Sequence, residues 1–231
     1  MDIDFTTLVA VDYLHVQELE ITWPLWAERK PEILDRPLLI IADGHADWEQ
    51  RLSFLGHRNM TIKKWTPAAG AFGSQRESML TSLVRAAEFI ETPWYLKIDT
   101  DAHATRDGEW IDGKWFDGDP VIVSHRWGYT KPARSLKVLD NWAGMHQELQ
   151  YNEPPVKDYD PNARIAKHPR IISYVMFGDT RFTRWASRLC PGRLPVPSQD
   201  TYLWYCAARS GQRVSRVNMK SAGWRHGKVQ P

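Results

Sequence analysis

The stretch Gly70-Ala-Phe-Gly-Ser-Gln-Arg76-Glu-Ser-Met-Leu-Thr-Ser-Leu-Val-Arg-Ala-Ala-Glu-Phe-Ile-Glu-Thr-Pro-Trp-Tyr-Leu-Lys-Ile-Asp99-Thr-Asp101 decides the fold class. It passes from a glycine-bearing loop through a segment of helical period to a short apolar run that ends in two acids. From Gln75 to about Glu91, the positions of Leu80, Leu83, Ala87 and Ile90 make one apolar stripe, the pattern of an amphipathic helix. Ser74 followed three residues later by Glu77 is a capping box, and Gly70 and Gly73 let the chain bend just upstream. The free N–H groups and positive dipole end of such a helix start, with Arg76 in the first turn, suit a diphosphate; an ordinary capped connection has the same pattern.

Working outward, short apolar runs alternate with longer segments of helical period. This is the signature of an α/β fold, here one compact domain with a mixed, mainly parallel sheet flanked by helices. Strands are expected at Thr7 to Val11, Leu38 to Ala42, Thr61 to Trp65, Tyr95 to Asp99, Val121 to His125, Ser173 to Phe177 and Arg213 to Val217. Ligands of open α/β sheets bind beyond the carboxyl ends of the strands, which would gather Asp12, Asp43-Gly44 and Asp99 to Asp101 into one crevice. A second helix is expected from Ser198 through Ala208, with Asp200 in its first turn and Gly211 just past its end. The proline-bearing stretch from Tyr151 to Pro169 reads as an irregular excursion between two halves.

Composition bounds the partners. A chain of 231 residues with 42% hydrophobic character can bury a real core, and a net charge of +2 lacks the single-sign excess of a disordered tail or a nucleic-acid coat. Cys190 and Cys206 form no C-x-x-C pair, and the acidic start Met1-Asp2-Ile3-Asp4 has no export signal, so a reducing cytoplasm is the expected setting. No apolar run approaches the roughly 20 residues of a membrane span. Among the twelve tryptophans, Trp65, Trp115, Trp127 and Trp224 sit beside polar residues, where a ring either packs in the core or stacks on a sugar or base.

In an extended chain, residues two apart face the same way, so Asp99 and Asp101 can address one ion while Thr100 points elsewhere. Oxygen ligands suit Mg²⁺ and Mn²⁺, and Mg²⁺ is commonly held by one or two carboxylates together with substrate phosphates. Two aspartates alone are a common pattern. Their place after a strand-like run and a capped helix is what makes them a candidate metal site.

The block from Gly70 to Asp101 resembles the heart of the family 2 glycosyltransferases and their GT-A relatives. The first strand ending near Asp12, the second leading to Asp43, and the run Ser198-Gln199-Asp200 opening a helix resemble the same family over most of the chain. The resemblance is loose between Gly108 and Lys167. It implies a GT-A fold with a nucleotide-sugar-binding half (1–104) and an acceptor-binding half with a C-terminal tail (105–231). It further implies a metal-dependent transfer of a sugar from a nucleotide-sugar, with UDP the expected nucleotide, to an acceptor hydroxyl. Donor contacts would fall on Asp12, Asp43, Gly70, Arg76 and Asp99, and Mn²⁺ or Mg²⁺ on Asp99, Asp101 and His226. Asp200 would be the general base of an inverting reaction, and residues 220–228 would close over the donor. His103 lies near enough in sequence to compete as a ligand, and His125 is read as structural or surface.

Two rival readings remain at the level of sequence. A sugar-phosphate nucleotidyltransferase also uses paired carboxylates on Mg²⁺, but Asp12-Tyr13-Leu14-His15-Val16 stands where its glycine- and arginine-rich loop would sit. A nucleic-acid-binding module would use Lys63, Lys64, Arg126, Lys131, Arg134 and Lys137 with interleaved tryptophans. Near-balanced charge speaks against that as the sole function. The acceptor is left open among a saccharide, a small molecule and a modified base in DNA.

Overall fold

The computed structural model describes residues 3–64, 81–106, 110–126, 171–189, 194–195 and 199–227. Seven strands form one sheet: β1 (Phe5–Val11), β2 (Leu38–Ala42), β3 (Met60–Lys64), β4 (Trp94–Ile98), β6 (Ile122–Arg126), β7 (Ile171–Asp179) and β8 (Val214–Val217). Their spatial order is β3-β2-β1-β4-β7-β6-β8. Every described neighbour pair is parallel except those of β7, which runs against both β4 and β6. A two-stranded antiparallel sheet joins β5 (Ala102–Ala104) to β9 (Trp224–His226). The expected strands are all present within a few residues of their expected ends.

Alternation along each strand feeds two cores, because both faces of the central sheet are covered. On β1 and β2, Phe5, Val9, Leu38 and Ile40 enter one core, whereas Leu8, Leu39 and Ile41 enter the other. The first core also holds helix α1 (Val16–Arg29) and an aromatic cluster in which Trp224 packs edge-on against Trp26 and Trp110. Trp224 is fully buried, so a role in stacking on a ligand is ruled out; its neighbours in the tertiary fold, and not the polar residues beside it in sequence, set its environment. The second core holds helices α2 (Thr180–Leu189) and α3 (Gln199–Arg209) together with Leu83, Val84, Ala86 and Ile90.

Of the expected helix from Gln75 to Glu91, residues 81–85 are helical and continue as a 3₁₀ turn over Ala86–Phe89. Gly70, Gly73, Ser74, Arg76, Glu77 and Leu80 lie outside the described residues, as do Trp65, Trp127, Cys190 and the stretch from Tyr151 to Pro169. Helix α3 ends as the sequence indicates. Gly211 takes φ +72°, and Gln212 N–H reaches back 2.8 Å to the Ala207 carbonyl, the long bond of a Schellman cap. None of the described helices is long and apolar enough to cross a membrane.

Candidate functional site

The apolar strand β4 delivers its last residue, Ile98, to the carboxyl edge of the sheet, and the chain turns there. Ala102 N–H donates to the Asp99 carbonyl at 3.0 Å, so residues 99–102 form a tight turn, not the continued strand that the alternation argument assumed. Both carboxylates still reach one place, and Thr100 points away from it. Its hydroxyl donates to Glu18 Oε2 at 2.8 Å, on helix α1.

The third member comes from the far end of the chain. Pairing of β5 with β9 sets Ala102 opposite His226, and Gly227 N–H donates to the Asp101 carbonyl at 3.2 Å. His226 Nε2 therefore lies 3.2 Å from Asp101 Oδ1. One ligand atom each from Asp99, Asp101 and His226 falls within 4.8 Å of the others, a set of two carboxylates and an imidazole. This donor set suits a divalent cation of the Mn²⁺ type, with carboxylate oxygens for a hard ion and an imidazole that a borderline one accepts. His103 sits in β5 facing Arg225 across the small sheet and is not part of the group.

Electrostatics bind the three residues together. The hydrogen bond from His226 holds the Asp101 carboxyl below its ordinary range, against a smaller opposing effect of burial. The same bond raises His226 above the usual histidine value, with the charge of Asp99 adding to it. Lys97, nearly fully buried within the apolar run of β4, donates from Nζ to Asp99 Oδ1. Lys97 was invisible as a site residue in the sequence because one lysine in a strand reads as a surface position. Its place two residues before Asp99, hence on the same face of β4, is the signal that could have found it. Tyr174 of β7 accepts from Asp99 N–H through its carbonyl at 2.8 Å, and its ring lies 5.4 Å from that of His226.

At the carboxyl ends of β1 and β2 the two other expected acids organise backbone. Asp12 accepts from the N–H groups of Leu14 and His15, both at 2.9 Å, and from His15 Nδ1 at 2.5 Å. Asp43 is buried, and its carboxylate accepts from Tyr13 N, His45 N and Trp48 Nε1 at 3.0, 3.2 and 3.0 Å. What these bonds present to solvent is a ring platform. Tyr13, 45% exposed, is tilted against His45 and carries the Arg51 guanidinium 4.2 Å from its ring centre.

Asp200 lies in the first turn of α3, and its carboxylate accepts from Thr201 N–H at 2.9 Å. Helix α3 leads through residues 210–213 into β8, which is parallel to β6. A helix so closely joined to a strand runs opposite to it, which puts Asp200 at the same edge of the sheet as the turn after β4. Beside it Gln199 is buried, with Oε1 unpartnered, a feature that carries no sequence signal.

Comparison with solved structures follows the same lines. The galactosyltransferase LgtC, determined with donor and acceptor sugar analogs, superposes with a TM-score of 0.57 at 12% identity, over 94% of this chain and 74% of that one. The fold is GT-A. Other GT-A structures agree: core-mannan synthase A from Aspergillus fumigatus, in an Mn/GDP form, gives a TM-score of 0.53 at 10% identity, over 91% of this chain and 65% of its own. The bifunctional WbbM gives 0.53 at 9% identity, over 94% of this chain and 39% of WbbM. No protein-family model and no curated protein matches the sequence.

Proposed function

We propose that the chain is a metal-dependent glycosyltransferase that moves a sugar from a nucleotide-sugar, with UDP as the expected nucleotide, to an acceptor hydroxyl. The observation that carries this reading is the convergence of Asp99, Asp101 and His226 at the carboxyl edge of a GT-A sheet. Sugar-transferring proteins of the same fold, one of them in an Mn/GDP form, support it.

Asp101 and His226, and Asp99 through its oxygen not engaged by Lys97, would hold Mn²⁺ or Mg²⁺. A divalent cation held there would supply positive charge to the diphosphate of the leaving nucleotide. The chain's own residues do the rest. Tyr13, backed by Arg51 and held by the buried Asp43, offers a ring on which the nucleoside base stacks, and Asp12 shapes the turn beneath it. Gly70 and Arg76 belong to the same donor half by resemblance. Lys97 keeps the Asp99 carboxylate oriented toward the cation site or a sugar hydroxyl. Asp200, across the crevice, takes the proton of the acceptor hydroxyl as that oxygen attacks the anomeric carbon, which gives an inverted product.

A panel of nucleotide-sugars with Mn²⁺, scored by release of free nucleotide, tests the donor and the cation together. Release from one donor, lost on chelation, is the expected result. Equal release with and without chelator overturns the metal dependence.

A further inference from the structure

We propose that helix α1 is the positioning element of the cation site, and that Glu18, Thr22 and Trp26 set how well the turn after β4 holds a divalent ion. This rests on the reading of Asp99, Asp101 and His226 as that site. Four side chains on one face of α1 bond to the turn and to β5. Glu18 Oε2 accepts from the Thr100 hydroxyl at 2.8 Å, and the Thr22 hydroxyl donates to the Thr100 carbonyl at 2.7 Å. Trp26 Nε1 donates to the Ala102 carbonyl at 2.6 Å, and Arg29 Nη1 to the Ala104 carbonyl at 3.0 Å.

Side chains three or four residues apart on α1 meet carbonyls two residues apart in the chain, from Thr100 in the turn to Ala102 and Ala104 of β5. The helix thus acts on one edge of β5 as a partner strand would, while β9 pairs with the other edge and brings His226 with it. Both supports of the metal group meet at Ala102, whose carbonyl faces α1 and whose strand partner is His226. Thr22 is 1% exposed, a place where valine fits the volume, and a helical threonine ordinarily turns its hydroxyl to its own backbone. Here that hydroxyl is spent on the residue between the two metal-facing acids. A slip of α1 by one turn would break the whole row at once.

The test uses the full chain with Thr22→Val, Thr22→Ser and Trp26→Phe. Two quantities are read: the Mn²⁺ dissociation constant by titration calorimetry, and the ring resonances of His226 by NMR in metal-free protein. Thr22→Val and Trp26→Phe each shift the His226 resonances and weaken Mn²⁺ binding roughly tenfold, while Thr22→Ser restores both. Ile21→Ala, on the exposed face of α1, changes neither. A folded Thr22→Val or Trp26→Phe protein with wild-type Mn²⁺ affinity and unmoved His226 resonances overturns the proposal. If Thr22→Val does not fold, Trp26→Phe decides by the same two readings. If the wild-type protein binds no Mn²⁺, the cation reading fails, and the His226 resonances alone decide whether α1 positions the turn.

Discussion

His226 Nε2 stands 3.2 Å from Asp101 Oδ1, a contact between the middle of the chain and its last described strand. The β5–β9 pairing makes it, and the carboxylate of Asp99 completes the group. Replacing Asp101 with asparagine keeps the shape and removes the anionic ligand. Mn²⁺ affinity is expected to fall by more than the roughly 10- to 100-fold that accompanies loss of a ligand's own hydrogen-bond partner. The side chain is partly exposed, so the melting temperature should change by no more than about 1 kcal/mol of stability implies. Calorimetric titration alongside a thermal melt checks both.

The pair also fixes a pH dependence. Asp101 titrates below its ordinary value of 3.8, so its contribution is present above that value and is lost as pH falls through the depressed one. His226 titrates above 6.5, so its contribution is complete below that value and is lost as pH rises through the raised one. In metal-free protein the bond therefore stabilises most between these two ordinary values. Both groups are partly in solvent, so its worth is about 1 kcal/mol or less. Metal binding reverses the sense, because the ion must displace the His226 proton. Mn²⁺ affinity should fall on acidification through the raised histidine value, and His226→Ala, weaker above that value, should show a flatter curve that approaches the wild-type one at low pH. Parallel curves contradict the assignment of His226.

Asp200 lies in the first turn of α3, outside the metal group, and is proposed as the general base. Asp200→Asn should lower the turnover number by roughly 10²- to 10⁴-fold, the usual worth of a positioned general base. Mn²⁺ and nucleotide affinities should stay at wild-type values. NMR of the product anomer adds a separate check, with inversion expected.

One prediction concerns the frame alone. Gly178 of β7 lies opposite Tyr95 of β4, and a Cβ on it would fall inside the Tyr95 ring. Tyr95 cannot give way easily, because it is buried and its hydroxyl is 3.1 Å from Thr183 Oγ1. Gly178→Ala should cost about 1–3 kcal/mol or more, seen as a lower urea midpoint.

Much of this frame was legible in the sequence. Runs such as Leu38 to Ala42 are apolar throughout because both faces of the sheet are covered, and that shows in composition without any tertiary knowledge. The end of α3 was legible for a local reason, the left-handed glycine at Gly211. The convergence of His226 on Asp101 could be expected from resemblance but not from local pattern, because β5 and β9 are three residues each and Ala102-His103-Ala104 carries no strand signal. Helix α1 was equally silent: His15 before it makes no side-chain cap, Pro24 lies inside it, and its row of Glu18, Thr22, Trp26 and Arg29 is polar and aromatic because it bonds to the Thr100 hydroxyl and to three carbonyls. Lys97 and Trp224 show what sequence leaves open, a charge that is buried and a ring beside polar residues that is core. In each case the partner lies far away in sequence, and only the fold supplies it.

The most direct measurement is an anomalous difference map, recorded at the manganese edge, from crystals grown with Mn²⁺ and UDP. One strong peak is expected beside Asp101 and His226, within reach of Asp99 and next to the diphosphate. An ordered nucleotide with no manganese at these residues, or manganese bound elsewhere, would contradict this reading of the three residues.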